Sequence, residues 1–169
     1  MRPKPILVMA CLVLVALAAV GHAGQDKSKT VQSEPPNLSG EWILDANRSK
    51  LDKEVHDYSL TIVHQESEIR FSKRYWRGKR EIKEQATYHT DGRADVDSRM
   101  GINDRLETRW RGKKLVHKIT SGLNGSQSFN LQFVTYEEWV LSDDQQTLTR
   151  TNTTEAGSLL ARAVFNRVR

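Results

Sequence analysis

Apolar and polar residues alternate with a period of two along most of this chain. In one segment Tyr58, Leu60 and Ile62 are separated by Ser59 and Thr61, which places the three apolar side chains on one face of an extended strand. No part of the chain after residue 37 sustains the 3.6-residue period of an amphipathic helix. The pattern therefore predicts a series of strands, each with one buried face and one solvated face.

Ten segments have this pattern, and turn residues separate them. The predicted strands are Ser39–Leu44, Tyr58–Ile62, Ile69–Lys73, Ile82–Tyr88, Ala94–Arg99, Leu106–Trp110, Leu115–Ile119, Phe129–Leu141, Leu148–Thr153 and Leu160–Val168. Proline, which cannot donate a hydrogen bond to a strand ladder, does not occur after Pro36. Asp91-Gly92 is a strong hairpin signal, because tight turns need a positive φ angle. A single helical turn is predicted between residues 46 and 55, with Asn47 as its cap.

The short connections imply that strands adjacent in the sequence are also adjacent in space, as in a meander. A meander of this size must protect two edge strands, and closure into a barrel protects both. We therefore predict an all-β fold over residues 38–169: a single up-and-down antiparallel β-barrel of about 8–10 strands. A flat sheet or a two-layer sandwich is the alternative.

The first 23 residues have the three-part layout of a secretory signal. Arg2 and Lys4 precede the uncharged apolar run Ile6–Val20, and small residues follow it up to Ala23. The run is shorter than the roughly 20 residues of a membrane-spanning helix, which makes a membrane anchor the less favoured alternative. We expect cleavage near Ala23, a flexible leader over residues 24–37, no transmembrane segment in the mature chain, and a periplasmic or secreted protein.

The cysteine content and the net charge further limit the kinds of chemistry and partner that the sequence supports. Cys11, inside the apolar run, is the only cysteine, so residues 24–169 can form no disulfide and supply no thiol. Without Arg2 and Lys4, 24 of the 26 basic residues remain against 21 acidic ones, a net charge of +3. This balance is too mild to indicate a nucleic-acid partner, and we expect none.

The two ends of the predicted barrel carry a resemblance. Gly40-Glu41-Trp42 resembles the Gly-x-Trp signature of the lipocalins, and Phe165-Asn166-Arg167 is similar to the terminal arginine that packs across that tryptophan in the family. Leu38–Asp45 and Trp139–Asp144 also resemble segments of exported bacterial proteins described as lipocalin-like, whose function is uncharacterised. The resemblance implies a calycin-type barrel in which Trp42 and Arg167 join the first strand to the last, with a cation–π contact between them.

A small barrel can hold an apolar ligand in its mouth, and large side chains on alternating faces are candidates for its lining. The candidate ligand-binding residues are Tyr58, Phe71, Tyr88, Trp110, Phe129 and Phe133. The alternative for each of them is ordinary packing in the core. The leading hypothesis is an exported lipocalin-like protein that binds a small hydrophobic or amphipathic molecule without catalysis.

Motifs for other chemistry are weak. His56, His64, His89 and His117 follow no metal-binding spacing, and neither a Gly-x-Ser-x-Gly elbow nor a glycine-rich phosphate loop occurs. We therefore assign no catalytic residue, no metal ligand and no cofactor. A barrel enzyme that uses histidine and carboxylate side chains is kept as an alternative.

Two near-identical basic segments support another alternative. Trp76–Arg80 and Trp110–Lys114, here called the basic tips, both lie at predicted hairpin turns. Basic residues around a tryptophan can bind anionic lipid headgroups, so the protein could contact an anionic glycolipid or a protein partner of the cell envelope. However, in a meander the turn between strands three and four and the turn between strands six and seven lie at opposite ends. Two ordinary basic β-turns are therefore the favoured interpretation.

Overall fold

The computed structural model describes residues 34–99, 102–123 and 132–169, which form ten antiparallel strands and a 3-10 helix. The strands are β1 (Gly40–Leu44), β2 (Val55–Gln65), β3 (Glu68–Arg77), β4 (Arg80–His89), β5 (Asp91–Arg99), β6 (Ile102–Arg111), β7 (Lys114–Leu123), β8 (Gln132–Leu141), β9 (Thr147–Thr154) and β10 (Leu159–Arg167). They form one sheet in the order β4-β3-β2-β1-β10-β9-β8-β7-β6-β5. The predicted all-β, up-and-down antiparallel barrel is confirmed.

Several predicted features concern residues that the structure does not describe. The signal over residues 1–23, Cys11 and most of the leader over residues 24–37 lie outside the described residues. So does Phe129, which was placed in the eighth strand. The described part of that strand begins at Gln132.

The period-two pattern of the sequence becomes the inside and outside of the barrel. In β2, Tyr58, Leu60 and Ile62 are at most 4% exposed. Phe71 of β3 and Phe165 of β10 are buried on the same inner surface. Burial of each large apolar side chain contributes about 1.5–3 kcal/mol to stability, so the alternation itself drives the sheet to close around a core.

The first and last strands are paired, and their contact covers one end of the barrel. Trp42 of β1 lies opposite Arg167 of β10, whose guanidinium carbon is 4.2 Å from the centre of the indole ring. The indole nitrogen of Trp42, which is fully buried, donates to the carbonyl of Leu38 at 3.2 Å. Arg167 donates in turn to the backbone carbonyls of Ser39 at 2.7 Å and Gln145 at 2.8 Å. The charged group is thus held over the ring by two hydrogen bonds as well as by the cation–π attraction.

The barrel is nearly closed, with a seam between β4 and β5. These strands stand at the two ends of the sheet order, and no ladder pairs them among the described residues. The expectation of a paired hairpin at Asp91-Gly92 is therefore wrong, although Gly92 has the predicted positive φ of 85°. The turn chemistry is local, whereas the pairing depends on whether the two sheet edges meet. A side-chain contact joins them instead: Nδ1 of His89 is 2.7 Å from Oδ1 of Asp95.

At the end of the barrel opposite the Trp42–Arg167 contact, the described residues include the connections β1–β2, β3–β4 and β9–β10. The β1–β2 connection begins with the 3-10 turn Ala46–Arg48, which is capped by Asp45 and not by the predicted Asn47. The Asp45 carboxylate accepts from the backbone N–H of Arg48 at 3.2 Å. The connection then lies against the β3–β4 turn, where the N–H of Gly78 donates to the carbonyl of Glu54 at 2.9 Å. We call this end the mouth.

Candidate functional site

Aromatic rings fill the barrel interior below the mouth. The ring centre of Phe71 lies 5.0 Å from that of Trp139 and 5.4 Å from that of Tyr88. Phe165 stacks on Trp139 at 6.2 Å and meets the ring of Tyr58 edge-on at 5.2 Å. These rings form a packed core in the middle of the barrel.

A pocket of about 290 Å³ opens at the mouth. We call it the mouth pocket; its lining is Leu51, Asp52, Val55, Tyr58, Lys73, Tyr75, Arg77, Glu84, Arg150, Leu160 and Ala161. The apolar members come from the β1–β2 connection, the start of β2 and the start of β10. Among the charged members is Arg150, whose side chain is only 13% exposed. The pocket therefore has apolar side chains and the exposed Asp52–Arg77 pair near its opening, and a polar floor.

Two tyrosines and two charged residues organise the polar floor. Nη1 of Arg150 donates to the hydroxyl of Tyr58 at 3.3 Å, and the hydroxyl of Tyr75 donates to Oε1 of Glu84 at 3.3 Å. The two phenol rings are 4.9 Å apart. Burial raises the pKa of Tyr58 to about 12, so its hydroxyl stays protonated and can also donate.

A buried ion pair lies directly beneath the floor. Nε of Arg150 is 4.0 Å from Oε2 of Glu137, and both side chains are close to fully buried. The indole nitrogen of Trp139 donates to Oε1 of Glu137 at 2.7 Å. Burial raises the pKa of Glu137, but the charges of Arg150 and Lys73 and the indole hydrogen bond outweigh burial and hold that pKa at about 2. Glu137 is therefore ionised, and its charge raises the pKa of Arg150 against the effect of burial.

A buried histidine completes the polar interior. His117 is 1% exposed; its Nδ1 is 2.7 Å from the hydroxyl of Thr108, and its ring lies 4.5 Å from that of Tyr88. Burial lowers the pKa of His117 to about 4, so the ring is neutral at pH 7. Nε2 of His117, Nε of Arg150 and Oδ1 of Asn152 are buried without a hydrogen-bond partner in the described part of the chain. Such atoms raise the free energy of the folded protein unless water or a ligand satisfies them.

The five candidate ligand-binding residues that the structure describes lie in different parts of the barrel. Tyr58 lines the mouth pocket, whereas Phe71 is fully buried in the core below it. Tyr88 and Trp110 are half-buried and pack against that core. Phe133 is 56% exposed, on the strand face that it shares with Glu137. Phe129 lies outside the described residues.

Sequence reasoning missed the charged members of the site. Arg150 alternates with the buried Leu148 on β9, and Glu137 alternates with the buried Trp139 on β8. The signal was present in the sequence as a charged residue on the inward, apolar face of a strand. Aromatic size, which selected the six candidates, gives no indication of these charged residues.

The four histidines of the predicted mature chain lie in four different environments. His56 stacks on Trp76, His64 stacks on Trp110, His89 lies at the seam and His117 is buried. Within residues 34–99, 102–123 and 132–169, no cluster of three His, Cys, Asp or Glu side chains is arranged as a metal site. The same ranges contain no helix with the length and hydropathy needed to cross a bilayer.

The basic tips lie at opposite ends of the barrel. The first tip is at the mouth, where Arg77 is 3.5 Å from the carboxylate of Asp52. The second tip is at the far end, where Nζ of Lys113 is 2.9 Å from Oδ1 of Asp143 in the β8–β9 turn. The two tips therefore do not form a single basic patch, and each shares its charge with a nearby carboxylate.

Comparison with solved structures finds proteins of similar fold. The chain is similar to the REP1-NXSQ fatty acid transporter (TM-score 0.51, 10% identity, 78% of this chain and 96% of that one). It is also similar to secretory abundant heat soluble protein 4 from Ramazzottius varieornatus (TM-score 0.55, 13% identity, 80% and 99%) and to a point mutant of the fluorescent protein UnaG (TM-score 0.52, 16% identity, 78% and 96%). No protein-family model and no curated protein sequence matches the chain. Together with the ten-stranded meander, these similarities show that the chain shares the up-and-down β-barrel fold of these proteins.

Proposed function

We propose that this protein binds a small amphipathic molecule in the mouth pocket. The observation that carries the proposal is the combination of apolar surface near the opening with a floor that contains Arg150, a nearly buried cation that donates to the hydroxyl of Tyr58. A volume of about 290 Å³ is at the lower end of the range of small-molecule pockets. At about 30 Å³ for each water-sized group, the pocket accommodates roughly ten non-hydrogen atoms.

The two parts of the pocket suit the two parts of such a molecule. Leu51, Val55 and Leu160 offer apolar surface at the rim, and Leu160 is 54% exposed without a ligand. Covering this surface with a hydrocarbon chain is favourable by about 25 cal/mol for each Å² removed from water. A polar group at the inner end of the ligand reaches Arg150 and the hydroxyl of Tyr58. One protein of similar fold is named as a fatty acid transporter, which supports a ligand of this general class.

The proposal includes export and a non-catalytic role. The signal predicted over residues 1–23 would carry the barrel out of the cytoplasm, so the ligand would be met in the periplasm or outside the cell. Binding requires no bond to be made or broken, and the protein would act as a carrier or a buffer. The envelope-partner alternative needs the basic tips, and their position at opposite ends of the barrel gives it no added support.

Titration with 1-octanol, which has nine non-hydrogen atoms, tests the proposal. Binding is measured by isothermal titration calorimetry and by tryptophan fluorescence of the chain without its first 23 residues. Ala161→Phe places a ring in the mouth pocket, and we expect it to weaken binding at least tenfold. Ala156→Phe, in the exposed β9–β10 turn, is the matched control and should bind like the wild type. Equal binding by folded Ala161→Phe and wild-type protein would overturn the assignment of the site.

A further inference from the structure

The charges around the mouth pocket cancel in pairs. Three cations and three anions line the pocket or lie directly beneath it: Lys73, Arg77, Arg150, Asp52, Glu84 and Glu137. Arg77 is 3.5 Å from Asp52, and Arg150 is 4.0 Å from Glu137. Lys73 and Glu84 are directly opposite each other in the β3–β4 register. A pocket of this composition presents polar groups without an excess of either charge.

Glu137 is the member of this set that does not line the pocket. It lies below Arg150 and outside the pocket lining, with one carboxylate oxygen fixed by the indole N–H of Trp139. Its other oxygen faces Nε of Arg150. Because Glu137 is buried and ionised, its negative charge already balances the positive charge of Arg150 before a ligand binds.

This compensation disfavours a charged ligand group. A carboxylate at the floor would share Arg150 with Glu137 and would bring two like charges close together where little water screens them. An ammonium group would approach Lys73 and Arg150 and would be equally ill-placed. An uncharged hydroxyl or amide both donates and accepts, which matches the phenol hydroxyls of Tyr58 and Tyr75 at the floor.

We propose that Glu137 sets the specificity of the mouth pocket, which selects amphipathic molecules with an uncharged polar group over carboxylates and amines of the same length. This inference rests on the proposed function, because it names the chemical class of the ligand in the same pocket. It assigns to Glu137 a positioning and charge-compensating role, with no direct contact to the ligand.

A matched ligand series tests the inference. Binding of 1-octanol, octanamide, octanoate and octylamine is measured at pH 7.5 by calorimetry. The wild type should bind 1-octanol and octanamide at least tenfold more tightly than octanoate or octylamine. Glu137→Gln removes the negative charge and keeps the shape, so it should improve octanoate binding relative to 1-octanol at least tenfold. Glu138→Gln is the control, because Glu138 is the next residue on β8 and pairs with Lys114 at 3.2 Å instead.

The outcomes separate the inference from the proposed function. If none of the four compounds binds the wild type, the proposed function fails. If they bind but octanoate is preferred, the mouth pocket is a binding site and the inference about Glu137 is wrong. An equal change of preference in Glu138→Gln would also overturn it. Should Glu137→Gln not fold, the ligand ranking of the wild type still decides.

Discussion

The stability of this barrel should depend on pH through one buried histidine, His117. Its side chain is neutral in the folded protein because burial lowers its pKa from 6.5 to about 4. In the unfolded chain the same ring is exposed and takes up a proton near pH 6.5. The unfolded state thus binds more protons than the folded state between these two values. The free energy of unfolding therefore falls as pH decreases from about 6.5 towards 4.

The magnitude follows from the two pKa values. A difference of about 2.5 pKa units corresponds to about 3 kcal/mol once pH is below both values. By pH 5 about 2 kcal/mol of this has been lost. Glu137, with a pKa lowered to about 2, contributes stability that is lost only as pH falls through the range from 4.5 to 2. The interval from pH 7.5 to pH 5 therefore isolates the histidine contribution from that of the carboxylate.

Urea unfolding of His117→Gln and of the wild type at pH 7.5, 6.5, 5.5 and 5.0 measures this contribution, with tryptophan fluorescence as the probe. Glutamine can still hydrogen-bond to Thr108 but does not titrate. Between pH 7.5 and 5.0 the wild type should lose about 2 kcal/mol more than the variant.

His64→Gln is the control, because the pKa of His64 is also lowered by burial but its side chain is less buried. That variant should retain most of the pH dependence of the wild type. Parallel curves for His117→Gln and the wild type, within about 0.5 kcal/mol, would refute the reasoning.

Three further predictions concern the ends, the core and the seam of the barrel. Arg167→Ala should lower the free energy of unfolding by about 1–2 kcal/mol in urea titrations, because the cation on Trp42 is lost, and an unchanged midpoint would contradict this. Phe71→Ala should cost about 3–5 kcal/mol in the same assay through the cavity that it leaves, and a loss below about 1 kcal/mol would show a loosely packed core. His89→Ala should accelerate amide hydrogen exchange around Asp95, because the contact between His89 and Asp95 links the edge strands β4 and β5. Unchanged exchange would mean that other contacts hold these two strands together.

Alternation along the strands was enough to predict most of the architecture. Tyr58, Leu60 and Ile62 follow the period of two, and each is buried as predicted. Since the same pattern recurs through the rest of the chain, the meander and its barrel follow from the need to bury one face of each strand and to protect the sheet edges. The resemblance at Gly40-x-Trp42 and Arg167 also directed attention to the place where the first and last strands meet.

The binding pocket could not be predicted in the same way. Arg150, Glu137 and Lys73 come from three different strands, and their charges compensate one another only because the sheet curves round and brings those strands to one interior. Of the ligand candidates selected for aromatic size, Tyr58 lines the pocket, Phe71 is buried in the core, and Tyr88 and Trp110 pack against that core. A strand pattern records which face a side chain takes, but it does not record the depth of that side chain in the barrel or what lies across from it.

The sequence by itself determined the class of secondary structure, the approximate number of strands and the alternation of the two faces along each strand, because these depend on residues only two apart. The tertiary structure alone decided the seam between β4 and β5, the depth of the mouth pocket and the pairing of Arg150 with Glu137. Such features depend on distances between residues far apart in the chain. Those distances are set by the twist and closure of the whole sheet, and they are not contained in any local pattern of apolar and polar residues.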